Sequence, residues 1–347
     1  MRKIAFKHEL LDKNNLLIGS VDVERASVSF DSFANITRTA QFTIRKNISR
    51  DIDYLHEHIR PVVVLTEDGN TTETPLGAFL LSSPKEKTTE TGVIAEVEAY
   101  DKTQILLEDC VTDRLFLPQG YKYSAAITSI VNSAGILDIF IDNNNKVLRR
   151  SREWDIGTPK LNIINELLKE MNYNRVYSDK NGVLMCTAYR LPWQKTPEIK
   201  YTTDELSKVF PGAKREMDLF NAPNVWICIA SNAEDDPLVS VEENNNPASA
   251  TSIARRGRKI VRCEHLSDIA DQASLNAYAK RLAYDGSNVY ETLEFETLIN
   301  PQHGYQTAMA IQHKGLGIDA KYIETAWSIP LQVGGRMRHR ARRILQV

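Results

Sequence analysis

The first hundred residues alternate between apolar and polar positions. Ala26, Val28 and Phe30 are spaced by Ser27 and Ser29, and Phe42 and Ile44 are flanked by Gln41, Thr43 and Arg45. Successive side chains of a strand point to opposite faces, so this period predicts half-buried strands. Pro61-Val-Val-Val-Leu-Thr-Glu reads as a further strand. Asp68-Gly69 supplies the positive φ values of a tight hairpin leading into Pro75-Leu-Gly-Ala-Phe-Leu-Leu. Val93, Ala95, Val97 and Ala99 then alternate with Glu96 and Glu98. One short helix, around Arg50 to His58, is expected to interrupt the pattern.

The period changes in the middle third. Ser124 is placed as an N-cap, with Ile127, Ile130, Val131 and Ala134 at helical spacing and Gly135 as the stop. A second helix starts from Thr158 and Pro159 and carries Ile164, Leu167, Leu168 and Met171 as one stripe. A hairpin follows, Arg175-Val-Tyr-Ser and Val183-Leu-Met-Cys-Thr-Ala-Tyr around a turn at Asp179 to Gly182. Between about Gly120 and Tyr201 the chain therefore reads as an α/β module. Strand patterns return in Val225-Trp-Ile-Cys-Ile-Ala, in Leu293, Phe295 and Ile299, and in Ile323, Thr325, Trp327 and Ile329. One helix among them is expected from a cap at Ser267, with Ile269, Ala273, Ala277 and Leu282 inward and a stop near Asp285-Gly286. The polar stretch from Ser231 to Lys259 is too long for an ordinary connection and is read as a long hairpin arm that meets a partner.

Bulk composition narrows the partners more than the chemistry. The 347 residues suffice for two or three domains, and the net charge of -2 gives no overall attraction to nucleic acid or anionic membrane. Cys110, Cys186, Cys228 and Cys263 are scattered, with no C-x-x-C pair, and read as reduced buried thiols. The charged start shows no secretory signal, and no apolar run is long enough to cross a bilayer.

Tests for catalytic chemistry come back negative. His56-Glu57-His58 lacks the spacing of a zinc-protease helix and reads as a solvated helix face. His303 and His313 flank a Gly-rich stretch with no nucleophile motif nearby and read as loop histidines. Gly317 and the Gly334-Gly335 pair fit turns, not phosphate loops. Glu294 and Glu296 share a strand face, as paired carboxylates of a glycoside hydrolase could, but alternation with Leu293 and Phe295 makes them its wet face. Trp154, Trp193, Trp226 and Trp327 are dispersed, with Trp226 and Trp327 in core patterns and Trp193 as the one plausible exposed ring. No catalytic residue, metal ligand or cofactor site is expected.

Two basic clusters remain. Arg336, Arg338, Arg340 and Arg342 alternate and would line one face of a strand; Arg255, Arg256 and Arg258 lie in the polar arm. No aromatic stacking residues interleave with them, so pairing with acidic groups on a neighbouring subunit is preferred over nucleic acid. Both clusters are taken as candidate subunit-interface residues.

Read whole, the chain resembles the minor tail proteins, or tail hub proteins, of tailed bacteriophages and prophages. The resemblance is carried by Ser27-Val-Ser-Phe-Asp with Ala40-Gln-Phe-Thr-Ile, Pro75-Leu-Gly-Ala-Phe-Leu-Leu-Ser-Ser-Pro and Glu98-Ala-Tyr-Asp. It continues through Glu153-Trp-Asp-Ile-Gly-Thr-Pro, Asp218-Leu-Phe-Asn-Ala-Pro-Asn, Tyr290-Glu-Thr-Leu-Glu-Phe-Glu-Thr and Gly334-Gly-Arg-Met-Arg-His. It implies an α+β, mainly β fold in which two β-barrel-like hub domains flank a small α/β insert. The corresponding divisions are 1–119, 120–205 and 206–347, the last with the arm at 231–259. It further implies a homotrimer at the virion tail tip, assembled in the host cytoplasm, that joins the tail tube to the tip or baseplate by symmetry matching. Its partners would be other tail proteins: the distal tail or tube protein, the tape measure, and a tip or fibre protein. No enzyme activity is expected. The rival readings are a cell-wall-degrading and a carbohydrate-binding tail tip protein.

Overall fold

In the computed structural model the described residues are 2–46, 51–90, 92–204, 208–218, 220–231, 236–266, 268–288 and 291–344. Strand makes up 45% and helix 16%, so the fold is mainly β as expected. The alternating segments form strands in register. Val23–Asp31 pairs antiparallel with Arg38–Arg45, which pairs with Gly92–Tyr100, setting Phe42 opposite Val97. Val28, Phe30, Phe42 and Val97 are buried, and the intervening hydroxyl and charged residues face outward. The turn at Asp68 and Gly69 has φ of 51° and 84°, the two positive values that Asp-Gly tolerates.

The two outer thirds do not form separate sheets. Ile318–Pro330 pairs with Val23–Asp31, placing Trp327 opposite Phe30, and the two rings stack at 5.7 Å. This splice yields a 15-stranded sheet whose path runs from Lys214–Met217 at one end to Leu17–Ser20 at the other. The path does not close on itself among the described residues. One core, which includes Leu10, Phe42, Phe79, Trp327 and Met337, therefore draws on both ends of the chain.

The middle of the chain has its own core. The first predicted helix is Tyr123–Ser133, capped at Lys122, two residues before the predicted Ser124 cap, and Gly135 ends it at φ 78°. The second is Lys160–Glu170; Pro159 is its N-cap, while the Thr158 hydroxyl donates instead to the Asp155 carbonyl at 2.7 Å. Leu161, Ile164, Leu167 and Leu168 are fully buried against Tyr123, Leu148, Trp154 and Leu184. Tyr177–Ser178 and Leu184–Cys186 form the predicted hairpin.

Two expectations fail on local grounds. The helix expected around residues 50 to 58 is a single turn over Asp53 to Glu57, with Arg50 outside the described residues. The chain enters a strand at His58, whose pairing with Leu11 takes over before a helix can propagate. The segment from 231 to 259 is not a free hairpin arm. Among its described residues, Leu238–Glu243 pairs with Val225–Ala230, and Ile253–Arg256 forms a short helix capped by Ser252. Val225–Ala230 is the centre of a three-stranded sheet completed by Val261–Leu266, and Gln272–Asn288 packs on it through Leu275, Tyr278 and Ala279. Ser267, expected to cap that helix, lies outside the described residues.

Gly286 shows how closely helix and sheet approach. A Cβ there would fall 2.6 Å from Nε1 of the fully buried Trp226. Gly286→Ala gains about 1 kcal/mol of helix propensity but forces this contact apart at about 2–3 kcal/mol. A net loss of about 1–2 kcal/mol in chemical denaturation is expected; a stabilised variant would contradict the packing.

Candidate functional site

The C-terminal basic run forms the strand Arg336–Arg343. Met337, His339 and Ala341 point into the protein, and Arg336, Arg338 and Arg340 point out, as the alternation predicts. Their neighbour is Glu291–Leu298, in a register that sets Arg338 opposite Glu296 and Arg340 opposite Glu294. Arg338 Nε lies 3.2 Å and Arg336 Nη1 3.4 Å from the Glu296 carboxylate, and Arg340 Nε lies 3.1 Å from Glu294. The acidic groups anticipated on a neighbouring subunit thus include the chain's own carboxylates. Arg342 stands opposite Thr292 and lays its guanidinium over Phe33 at 4.4 Å. Burial, resisted chiefly by Asp285, draws its pKa below the usual arginine value.

This charged ladder belongs to a longer polar face. Ser29, Asp31, Thr39 and Ser328 continue it across the splice, around an open groove of about 760 Å³ that Phe30 and Trp327 floor. A second groove of about 510 Å³ extends it over Ser27, Gln41, Thr43, Glu96 and Glu98. The face is therefore rich in hydroxyls and balanced charge and crosses both outer thirds of the chain. Exposed ion pairs of this kind contribute about 0–1 kcal/mol each, so the ladder shapes a surface more than it holds the fold.

The second basic cluster lies in the smaller sheet unit. Arg255 Nε donates to the Pro247 carbonyl at 3.3 Å, Arg256 Nη1 to the Phe220 carbonyl at 3.1 Å, and Arg258 lies 6.0 Å from the Phe220 ring. The first cluster lies on a strand of the 15-stranded sheet, the second on a short helix and the loop after it.

Beneath the ladder the structure assembles a cluster that the sequence reading missed. His303, Glu324 and His339 have side chains with no exposed surface. The Nδ1 atoms of the two histidines each lie 2.6 Å from a different oxygen of Glu324. His303 Nε2 is 2.8 Å from the Tyr201 hydroxyl, and His339 Nε2 is 2.7 Å from that of Thr297. Burial pushes the Glu324 carboxyl up, but the His303 charge and the hydrogen bonds from both rings outweigh it, so Glu324 sits below the usual carboxylate range. Burial draws His339 below the ordinary histidine value. His303 is on a loop, as expected, yet buried. His339 was masked by its arginine neighbours; the available signal was its phase, since it alternates with them on the inward face.

The other sequence candidates disperse. His56 sits in the turn, 2.8 Å from Asp53, while His58 begins a strand and is buried, so the pair shares no helix face. His313 accepts from the Leu316 backbone N–H at 3.2 Å and caps a short turn. Trp154, Trp226 and Trp327 are buried, and Trp193, expected to be exposed, is half-buried against Tyr284 at 5.4 Å. Cys186 and Cys228 are buried as predicted, but Cys110 is half-buried and Cys263 exposed. No helix among the described residues is long and apolar enough to cross a membrane.

No protein-family model matches the sequence, and no curated protein matches it. Solved structures do match over almost the whole chain. A tail protein from Neisseria meningitidis MC58 aligns with a TM-score of 0.68 at 13% identity, covering 97% of this chain and 96% of that one. The 43 kDa tail protein of prophage MuSo2 from Shewanella oneidensis aligns at 0.66 with 10% identity, covering 98% of each. An E. coli component of the type VI secretion system, described as structurally similar to the T4 tail proteins gp27 and gp5, aligns at 0.52 with 11% identity over 100% of this chain and 77% of that one. With near-complete coverage of two tail proteins in both directions, the architecture built here from sheet splice, insert and ladder is the fold of phage and prophage tail proteins.

Proposed function

We propose that this chain is a structural subunit of a phage tail, a hub at the tail tip that joins the tail tube to the tip or baseplate. The observation that carries the reading is the match to two tail proteins over 97% and 98% of the chain. The polar sheet face supports it, because an extended surface of hydroxyls and balanced charge suits contact with water and other proteins. On this reading the chain is a homotrimer whose two outer β regions, 1–119 and 206–347, act as paired hub domains around the 120–205 insert. Three copies then present six related surfaces to a six-fold tube. The partners are the distal tail or tube protein, the tape measure and a tip or fibre protein, and the assembled location is the virion tail.

Ring closure needs a heterologous interface that repeats until it closes. Arg336, Arg338, Arg340 and Arg342, with Arg255, Arg256 and Arg258, are the proposed contact residues. Each exposed guanidinium has five N–H donors and directs one to a carboxylate of its own chain, so four remain and a ladder satisfied within the chain can still bind across it. Light scattering on the full chain, alone and with its tail partners, tests the reading. The expected particle mass is three times 39.3 kDa, and Arg338→Glu with Arg340→Glu is expected to return it to the single-chain value. A stable dimer or tetramer would sink the trimer; a trimer indifferent to the double reversal would remove the arginines from the interface.

A further inference from the structure

We propose that His303, Glu324 and His339 form a buried binding site for a divalent transition-metal ion of the zinc class. The three side chains come from a loop, from the strand Ile318–Pro330 and from the strand Arg336–Arg343, and their ligand-type atoms all lie within 4.8 Å of one another. Two imidazoles and one carboxylate are a ligand set that suits zinc. Glu324 brings a negative charge to a place without exposed surface, and the ion pairs it makes are to the two rings. A buried charge needs a compensating positive group, which a protonated ring or a metal ion can supply.

The hydrogen count leaves Nδ1 free to take an ion. The Thr297 hydroxyl has one proton and donates to the Leu298 carbonyl at 2.9 Å. With that proton committed, His339 Nε2 carries its own hydrogen and donates to Thr297 Oγ1. A neutral ring in that tautomer turns a bare Nδ1 lone pair toward Glu324. Such a facing pair is repulsive unless a proton or a metal ion lies between them. The hydroxyls of Thr297 and Tyr201 hold the far nitrogens as outer partners do around metal-bound histidines, fixing tautomer and ring orientation. Ligand atoms around a tetrahedral zinc ion stand roughly 3.3 Å apart, so the 2.6 Å separations would open by several tenths of an ångström. His303 lies on the connection between Glu291–Leu298 and Ala308–His313, which can supply that movement. Because the site has no exposed surface, the ion enters as the chain folds, and metal affinity becomes folding stability.

The test uses the full chain refolded with zinc or with a chelator, then desalted and assayed for bound metal and for Tm. The Cys263→Ser variant is the background, because Cys263 Sγ and His265 Nε2 lie 3.7 Å apart on the surface and could take up zinc independently. About one zinc ion per chain is expected, with a Tm roughly 5 °C above that of the chelator-treated protein. His303→Gln is expected to cut retention by about tenfold or more. A zinc-refolded protein that retains under about a tenth of an ion per chain with unchanged Tm would overturn the proposal and leave a proton shared between ring and carboxylate. Stoichiometric zinc that survives His303→Gln would overturn it as well, since the ion would then be bound elsewhere. The retention and Tm of the background protein decide the matter even if His303→Gln fails to fold.

Discussion

Replacing Arg38 by methionine is expected to destabilise the protein by about 3–4 kcal/mol. Arg38 is 2% exposed in the strand Arg38–Arg45, and its guanidinium ties two parts of the chain together. Nε donates to the Ser178 carbonyl in the insert at 2.9 Å, and Nη1 to the Leu76 carbonyl at 2.8 Å. The guanidinium lies 5.4 Å from the rings of both Phe30 and Trp327, the pair that splices the two outer thirds. Burial draws its pKa down to about 10, with Asp101 working against that shift, so it stays charged at neutral pH. Methionine fills much of the same volume but leaves two buried carbonyls without their charged donor. Lysine keeps the charge yet cannot serve two carbonyls from a planar fork between two rings, so Arg38→Lys is expected to lose about 2 kcal/mol. Chemical denaturation gives both numbers, and hydrogen exchange at Ser178 should rise in each variant. A loss below about 1 kcal/mol for Arg38→Met would show that the insert is held by something else.

What was legible in the sequence follows from the range of the interactions involved. The strands around Val28, Phe42 and Val97 and the helix stripe through Ile164 and Leu168 were readable because burial on one face imposes a period on neighbouring residues. The pairing of those strands was not. Nothing local in Trp327 says that it will stack on Phe30 some three hundred positions earlier, and that contact is what joins two expected sheets into one. The same limit explains the arginine ladder. Its outward phase was evident from alternation, and so was the wet face of Glu294 and Glu296, but that the two faces are one depends on register between strands far apart in the chain. The polar stretch before Lys259 misled for a different reason. Asn244 is fully buried and donates to Ser249 Oγ at 2.8 Å, so polar composition there builds a compact loop held by its own side chains. Composition alone reads such a loop as an exposed arm.

Acidification is expected to weaken the N-terminal β region while strengthening the insert, over the same pH range. His58 is 6% exposed; burial, with the Lys102 charge, draws its pKa from 6.5 to about 4. His8, beside Phe42, falls to about 4 for the same first reason, with Asp22 pulling the other way. In the unfolded chain both titrate near 6.5, so between 6.5 and 4 the unfolded state binds protons that the folded state refuses. Stability is complete above pH 6.5 and is lost as pH falls toward 4, by about 3 kcal/mol for His58 alone. Glu170 in the insert does the reverse. Burial raises its pKa from 4.5 to about 7, against the opposing pull of Arg152 and the Tyr123 hydroxyl. The folded insert therefore holds a proton that the unfolded chain releases, and it gains up to about 3 kcal/mol as pH falls from 7 to 4.5. Global unfolding would blur the two slopes, but hydrogen exchange resolved by region separates them. Protection in His58–Glu67 should fall between pH 6.5 and 4.5 while that in Lys160–Glu170 rises, after correction for intrinsic exchange. His58→Gln should flatten the first trend and Glu170→Gln the second. Parallel slopes in the two regions would mean that these buried groups titrate as they do in water.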